Sequence, residues 1–407
     1  MIIAISWRNV WRNPMRSLVI ITAVALGLTA GIFSLALMNG LTEQKMRTAI
    51  ENQTAHIQLH HIGFSVNKDI KLHIPEIEKT EDLLAQHTGI NTFSLRTVVG
   101  GMIASSKGSE GVQFNGIDPG QEKEVTAIWK QVIEGTYFEK GGRKPILISQ
   151  KMAEKLEVKL KSKVVLTMQD AQGEIVGAAF RVVGIFKTYS TAFDESQVFV
   201  PREALQEIAK LPNSIHEIAL ILNDIEEVPL IKSNLAESLN PNTKVEDWKE
   251  VLPELAYLSD ASIQTNVLFL AIILTALAFG ILNTMLMSVF ERIKEIGVLM
   301  AVGMNKGKVF RMIVTETVFL SLSGAFIGML LGVALINWTA TNGINLSMFS
   351  EGLASWGVAD VVYPSLSISF YFMLMIMVLV TALLASLYPA QKALGLRPAE
   401  ALHGLNN

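Results

Sequence analysis

The sequence predicts an α-helical membrane protein with four transmembrane helices and a large α+β extracytoplasmic domain inserted between the first and second spans. Three observations carry this. Charged residues make up 17% of the 407 residues and apolar ones 50%, against about 25% charged in an ordinary soluble domain, and mean hydropathy is +0.38. Four stretches lack charge for long enough to cross a bilayer core, which takes roughly 20 apolar helical residues: Leu18–Met38, Ala261–Phe290, Thr317–Trp338 and Val361–Ala390. Between the first and second lie about 220 residues of mixed composition, ample for a core of their own.

In chain order, residues 1–17 form an entry helix carrying Arg8, Arg12 and Arg16. These resemble the basic region of a signal peptide, but the apolar run after them exceeds the roughly 7–15 residues of a signal core. An uncleaved anchor over 18–40 is expected. In the outer domain, 41–260, strand patterns fall at His56–Leu59, Gly111–Ile117, Pro145–Ser149, Lys163–Met168, Ala178–Lys187, Gln197–Val200 and Glu217–Leu222. Helical patterns fall at Glu76–Gln86, Gln150–Leu156, Arg202–Lys210, Ile225–Leu239 and Trp248–Ser259. Turns are marked by Asp118-Pro119-Gly120, Gly141-Gly142 and Leu211-Pro212-Asn213. The lysines of Lys151–Lys163 read as a solvated helix face. A second span over 263–290, a coupling helix and turn over 291–311, a third span over 317–338, an outer loop over 339–360, a fourth span over 361–390 and a tail over 391–407 complete the chain.

Orientation follows from Lys and Arg in the short loops. Residues 1–17 hold three basic and no acidic residues, 291–316 hold five basic and three acidic, and 339–360 hold no basic and two acidic. Both termini and 291–316 are therefore expected in the cytoplasm, with 41–260 and 339–360 outside. No ionisable residue lies within the four apolar cores, which disfavours an ion relay.

Several chemistries are excluded or unsupported. No cysteine is present, which removes disulfides, thiolate zinc sites, iron–sulfur clusters and cysteine nucleophiles. A net charge of −3 gives no sign of a nucleic-acid partner. His56, His60 and His61 lie close together with His73 nearby, but strand alternation places His56, Gln58 and His60 on one polar face, and that pattern accounts for them. No metal, cofactor or catalytic residue is expected. Gly303-Met-Asn-Lys-Gly307-Lys308-Val309 mimics a phosphate loop, yet has three residues rather than four between its glycines and no Ser or Thr after the lysine. Any ATP-driven work requires a separate ATPase.

The segment Phe290–Gly303 is the most informative. Ile293, Ile296, Leu299 and Met300 recur at helical spacing, and Glu291, Arg292, Lys294 and Glu295 fill the other side. Gly303 is placed to end the helix. Gly297 and Ala301, four apart, offer a face for close approach by a partner. The pattern alone suits either a helix floating at the headgroups or one that docks and transmits motion. On the third span, Gly324, Gly328 and Gly332 share a face suited to close helix packing.

These residues resemble the MacB/FtsX superfamily of ABC-transporter permeases, whose hallmark reads roughly Arg-x-x-Glu-Ile-Gly-x-x-x-Ala-x-Gly. Arg292, Glu295, Ile296, Gly297, Ala301 and Gly303 occupy those positions, and Glu291 precedes them. Glu316, the glycine stripe, the ending Tyr388–Leu402 and the beginning Trp7–Arg16 also fit. Ala55–His60, Phe114–Pro119, Phe180–Phe186 and Phe193-Asp194 before Val198–Val200 resemble the LolC/LolE lipoprotein-releasing branch. The resemblance implies coupling of 291–303 to a separate ABC ATPase, present in two copies, and pairing with an identical or paralogous permease. It further implies an inner-membrane location, contact with membrane lipid, a lipoprotein substrate and a periplasmic acceptor. ATP-driven motion would release the lipoprotein from the outer leaflet without carrying it across. A MacB-like exporter, an FtsX-like regulator of a cell-wall hydrolase and a membrane-anchored sensor are the rival readings.

Overall fold

The computed structural model describes residues 2–12, 14–138 and 144–394. The Gly141-Gly142 turn, most of the 391–407 tail and the 395–402 part of the C-terminal motif lie outside the described residues. The chain divides into two units: residues 1–42, 260–345 and 361–407, and residues 43–259 with 346–360.

The first unit is helical. Among the described residues, an entry helix, Ile2–Arg12, precedes four helices long and apolar enough to cross a membrane: span 1, Pro14–Ala49; span 2, Pro253–Glu291; span 3, Lys306–Asn342; and span 4, Ile368–Leu394. Each of the first three runs well past the roughly 20 residues a bilayer needs. Span 4 begins seven residues later than its uncharged stretch suggests, because Val361-Val362 instead pairs as a strand with Ile344-Asn345. Val24, Leu28, Ile32, Ile281, Ile313 and Val378 belong to the shared core of the bundle. Phe279, Phe326, Trp338 and Phe372 are exposed, as expected of side chains whose solvent is lipid.

The second unit is built on ten strands: β1 Ile57–His61, β2 Ile90–Ala104, β3 Ser109–Ile117, β4 Val132–Gly135, β5 Pro145–Ser149, β6 Lys163–Gln169, β7 Ile175–Phe186, β8 Gln197–Pro201, β9 Glu217–Leu222 and β10 Thr243–Asp247. Their order is β10-β1-β9-β2-β3-β8-β5-β7-β4, and β6 bridges β2 and β7. The strands β2, β3, β8, β5, β7 and β6 thus close into a ring, with no free edge inside it. Its interior holds Ile103, Phe114, Ile148, Leu166, Phe180 and Val198, all essentially inaccessible.

The fifteen-residue β2 belongs to both halves. Its second half pairs with β3 and β6 in the ring. Its first half pairs with β9, extending a four-stranded antiparallel sheet with β1 and β10. Ile57, Leu59, Leu95, Ile218, Leu220 and Val245 face one side of that sheet, where they share a core with the helices Ile77–Gln86 and Val228–Ser238. The opposite side is polar, as the period of two requires.

Three sequence expectations change here. The strands β2, β4 and β10 were absent from the strand pattern. The lysine-rich stretch is not one helix face: the helix ends at Lys155, Lys161 sits in a turn at φ +67°, and Lys163 opens β6. The Trp248–Ser259 pattern splits at Leu252, because Pro253 cannot continue a helix that needs its N–H and starts a new one instead.

Candidate functional site

The first candidate is the segment between spans 2 and 3. Residues Ile293–Ala301 form a helix. It ends on Gly303 at φ +100°, where the Gly303 N–H donates to the Met300 carbonyl at 3.1 Å and the Met304 N–H to the Leu299 carbonyl at 3.0 Å. This pair of bonds is a Schellman closure and needs glycine at its left-handed position. Asn305 then caps span 3, its side chain accepting from the Gly307 N–H at 3.1 Å. The glycines that mimic a phosphate loop are thus one helix stop and one helix start, with no preceding strand.

Charged side chains tie this helix to its neighbours. Arg292 Nη1 donates to both oxygens of Glu316 on span 3, at 2.8 and 3.1 Å. Its Nε donates to Glu295 at 3.2 Å. Glu295 also pairs with Arg12 of the entry helix. Burial works against the Glu295 charge, but Arg292 and Arg12 outweigh it and hold the carboxyl below its ordinary range. The entry helix is fixed in turn to span 3: Ser6 Oγ donates to the Met312 carbonyl at 3.2 Å, and Trp7 packs edge-on against Phe319 at 5.4 Å. Glu291 is exposed at the end of span 2.

The helix faces differ from the expectation. Ile296 and Gly297 are buried within the chain, so Gly297 is not available for approach by a partner. The open face carries Lys294, Val298, Ala301 and Val302, with Val302 83% exposed. The glycine stripe of span 3 lies against span 1. A Cβ on Gly324 would stand 2.7 Å from the Val24 Cβ, and one on Gly328 would stand 2.7 Å from the Ala25 carbonyl oxygen. Gly332 is looser, with Ile32 at 3.4 Å. Thr29 Oγ1 donates across this seam to the Gly328 carbonyl at 3.0 Å.

The second candidate is the polar side of the four-stranded sheet, of which the sequence shows only the His56–His60 alternation. Gln58, His60, Arg96, Glu217 and Glu246 lie there and are all buried. Register places Arg96 opposite Glu217, Glu217 opposite His60, and His60 opposite Lys244. Arg96 Nη2 donates to Glu122 at 2.7 Å, and Arg96 Nη1 donates to Glu217. His60 bridges Glu217 at 3.3 Å and Glu246 at 3.2 Å. Lys244 reaches Glu246 at 2.7 Å. Burial opposes charge on Arg96 and His60, but the surrounding carboxylates win and raise both. Glu217 is lowered to about 2 despite its burial, by Arg96 and His60. Glu246 is lowered to about 2, first by its His60 hydrogen bond. The visible clue is Arg96, the one charged residue between Ile90 and Ser106, since an arginine inside a strand core needs partners.

His56 and His61 are occupied elsewhere: His56 Nδ1 accepts from the Leu222 N–H and His61 Nδ1 from the Gly63 N–H. Among the described residues, no group of three His, Cys, Asp or Glu side chains is arranged to hold a metal ion.

Comparison with known proteins identifies the family. The model of the MacB-like periplasmic core domain matches residues 17–238, and that of the FtsX-like permease C-terminal region matches residues 267–398. The chain belongs to the MacB/FtsX family of ABC-transporter permeases. The permease is 24% identical over 403 residues to the lipoprotein-releasing system transmembrane protein LolC of Neisseria meningitidis, covering 95% of this chain and 93% of that one. It is 25% identical to the corresponding LolE of Haemophilus influenzae, covering 98% of both. The macrolide export ATP-binding/permease protein MacB of Chlorobaculum tepidum is 35% identical over 123 residues, 30% of this permease and 16% of that protein. Among solved structures, the periplasmic region of MacB from Actinobacillus actinomycetemcomitans covers 49% of the permease and 91% of that chain, with 12% identity and a TM-score of 0.36.

Proposed function

We propose that this chain is the permease subunit of a LolCDE-like ABC transporter that releases lipoproteins from the outer leaflet of the inner membrane. Both termini and the Ile293–Ala301 helix face the cytoplasm, and residues 41–260 face the periplasm. A separate ATPase, in two copies, drives it, and a second permease, identical or paralogous, completes the membrane unit. Span motion passes to the outer domain, which hands the lipoprotein to a periplasmic acceptor.

The observation that carries this reading is the linkage of Arg292 to Glu316 and of Glu295 to Arg12. A force on the short helix is delivered directly to span 3 and to the entry helix, through charge-assisted bonds that resist shear. Preference for lipoprotein release over MacB-like export rests on alignment length. The LolC and LolE relatives align across 93% and 98% of their own lengths, whereas the MacB relative aligns across 16%. The test is reconstitution in proteoliposomes with the ATPase and an acylated lipoprotein. ATP-dependent appearance of the lipoprotein on an added soluble acceptor is expected. ATP turnover that moves a small hydrophobic drug but no lipoprotein would favour the exporter reading instead.

A further inference from the structure

The entry helix Ile2–Arg12 presents three faces. Ser6 and Val10 turn inward: Ser6 is bonded to the Met312 carbonyl, and Val10 belongs to the shared core of the bundle. Ile3, Trp7 and Trp11 recur every four residues and form an apolar ridge, 67%, 46% and 56% exposed. Arg8 and Arg12 follow at the same spacing and are exposed beside it. An open groove runs along the helix, with Trp7, Arg8, Trp11 and Arg12 among its lining residues.

The ridge lies at the edge of the apolar layer. Trp7 packs edge-on against Phe319, and the uncharged run of span 3 begins at Thr317, so the Trp7 ring stands beside the first turn of that run. Trp11 stands edge-on to Trp7, with ring centroids 6.0 Å apart. Ser17 Oγ donates to the Val10 carbonyl, which ties the entry helix to the start of span 1. Among the described residues neither indole N–H of this pair meets an acceptor. Tryptophan collects at the membrane–water boundary because its ring is apolar and its N–H is polar.

The charge beside the ridge is not neutralised within the chain. No acidic residue precedes Glu43. Arg8 makes no ion pair among the described residues, and Arg12, which pairs with Glu295, is still half exposed. Lys306, Lys308 and Arg311 at the start of span 3 are exposed and likewise make none among the described residues. Arg311 adjoins the Met312 carbonyl that Ser6 holds. Glu295 and Glu316 are already held by Arg12 and Arg292, so neither is free to receive an ammonium headgroup.

We infer that the entry helix binds an anionic glycerophospholipid of the leaflet in which it lies, with Arg8 holding the phosphodiester and the Trp7–Trp11 ridge lying along the glycerol and upper acyl chain. A guanidinium meets two phosphate oxygens at once. A phospholipid joins a negative phosphate to an apolar chain, and this helix sets a basic edge beside an apolar ridge to match. An acidic protein segment would meet the arginines and leave the tryptophans uncovered. The inference needs only the membrane fold; it does not depend on the cargo, the ATPase or the side that the termini face.

The test uses the full chain reconstituted in vesicles, with tryptophan fluorescence quenched by dibrominated phosphatidylglycerol or dibrominated phosphatidylcholine. The chain holds 6 tryptophans, so the signal of Trp7 and Trp11 is taken as the difference between the parent and the double variant Trp7→Phe, Trp11→Phe. That signal should be quenched at an about fivefold lower mole fraction of the anionic lipid, the advantage of one cation near a negative headgroup. Arg8→Gln should remove the advantage and Arg8→Lys should keep part of it. Lys107→Gln, exposed in the outer domain, should leave it unchanged.

Thermal unfolding in detergent is a second readout that needs no tryptophan, and it decides if the double variant misfolds. Added dioleoyl-phosphatidylglycerol should raise the midpoint more than the same amount of dioleoyl-phosphatidylcholine, because a ligand of the folded state stabilises it. The difference should shrink in Arg8→Gln, whose midpoint without lipid should match the parent's. Equal effects of the two lipids, or a full preference kept by Arg8→Gln, would overturn the inference. Quenching of Trp7 and Trp11 by neither lipid would overturn it too, since the ridge would then be covered by protein, as by a second copy of this chain.

Discussion

Arg292 and Glu316 form a two-pronged ion pair, 24 residues apart in sequence, with side-chain exposures of 15% and 8%. It clamps the start of the short helix to the tenth residue beyond the start of span 3. Breaking a pair with this little exposure costs about 3 kcal/mol or more, because a carboxylate loses its nearest cation. Arg292→Ala should therefore lower the thermal midpoint of the detergent-solubilised protein by several degrees. Arg292→Glu combined with Glu316→Arg should recover part of that loss. If the double reversal is no better than the worse single reversal, the pair is not what holds the helix.

The glycine stripe makes a graded prediction. Gly328→Ala pushes a methyl carbon to 2.7 Å from the Ala25 carbonyl oxygen and 3.0 Å from the Ala25 Cα. Backbone must move, at a cost of roughly 1–3 kcal/mol. Gly332→Ala meets only side-chain atoms at 3.4 Å or beyond and should be close to neutral. Gly280→Ala on span 2 meets nothing within 4 Å and should be neutral or slightly stabilising, since alanine is the better helix former by about 1 kcal/mol. Thermal unfolding of the three variants should rank them in that order. Equal effects at 328 and 280 would mean that spans 1 and 3 do not touch there.

The knot around His60 has a pH signature. The folded-state pKa of His60 is raised above its ordinary 6.5 by Glu217 and Glu246. Its contribution to stability is complete below about 6.5 and is lost as pH rises through the raised value. Glu217 and Glu246 are lowered to about 2, so their contributions are present above about 4.5 and are lost as pH falls towards 2. Thermal midpoints of the full chain should decline as pH rises above about 6.5. His60→Gln should be less stable at pH 6 and show a flatter alkaline limb. Parallel limbs in parent and variant would show that His60 is not held protonated.

How much of this was legible in the sequence depends on where the information is stored. The four spans, Gly303 and the glycine stripe were readable because each is a local pattern: an uncharged run, a stop signal, a four-residue spacing. The burial of Gly297 was not readable, because which face of an amphipathic helix turns inward is fixed by Arg292 reaching Glu316 and Arg12 reaching Glu295. The strand β2 is hard to read because its middle, Ser94–Val99, is buried on both sides and shows no alternation, and Gly100-Gly101 has the composition of a turn. Gly101 is there because a Cβ would stand 2.4 Å from the Thr167 carbonyl, a contact with β6 that no local pattern records. The ion knot joins β1, β2, β9, β10 and the helix Pro119–Val125, and its members are scattered from residue 60 to residue 246.

Orientation is open to direct test, and the chain has no cysteine to interfere. Lys163 and Lys308 are both exposed, one in the outer domain and one at the start of span 3. With single cysteines at each, an impermeant maleimide should label position 163 in intact cells and position 308 only after permeabilisation. The reverse pattern would invert the proposed topology.

The last prediction concerns which side of the Ile293–Ala301 helix meets the ATPase. Val298 and Val302 are 48% and 83% exposed and four residues apart, so they stand on one face. Two exposed valines on the open face that also carries Lys294 are what a docking groove would desolvate, and an aspartate in their place would bury a charge there without a partner. Val298→Asp and Val302→Asp should therefore reduce ATPase recovered in a pull-down by about tenfold or more, with thermal stability of the permease unchanged. Gly297→Trp should behave differently: Gly297 is buried, so the variant should lose stability together with ATPase binding. Glu295→Lys should weaken docking through misplacement, since it sets a lysine beside Arg12 and Arg292. Wild-type recovery of the ATPase with both aspartate variants would mean that this helix floats at the membrane surface and couples nothing.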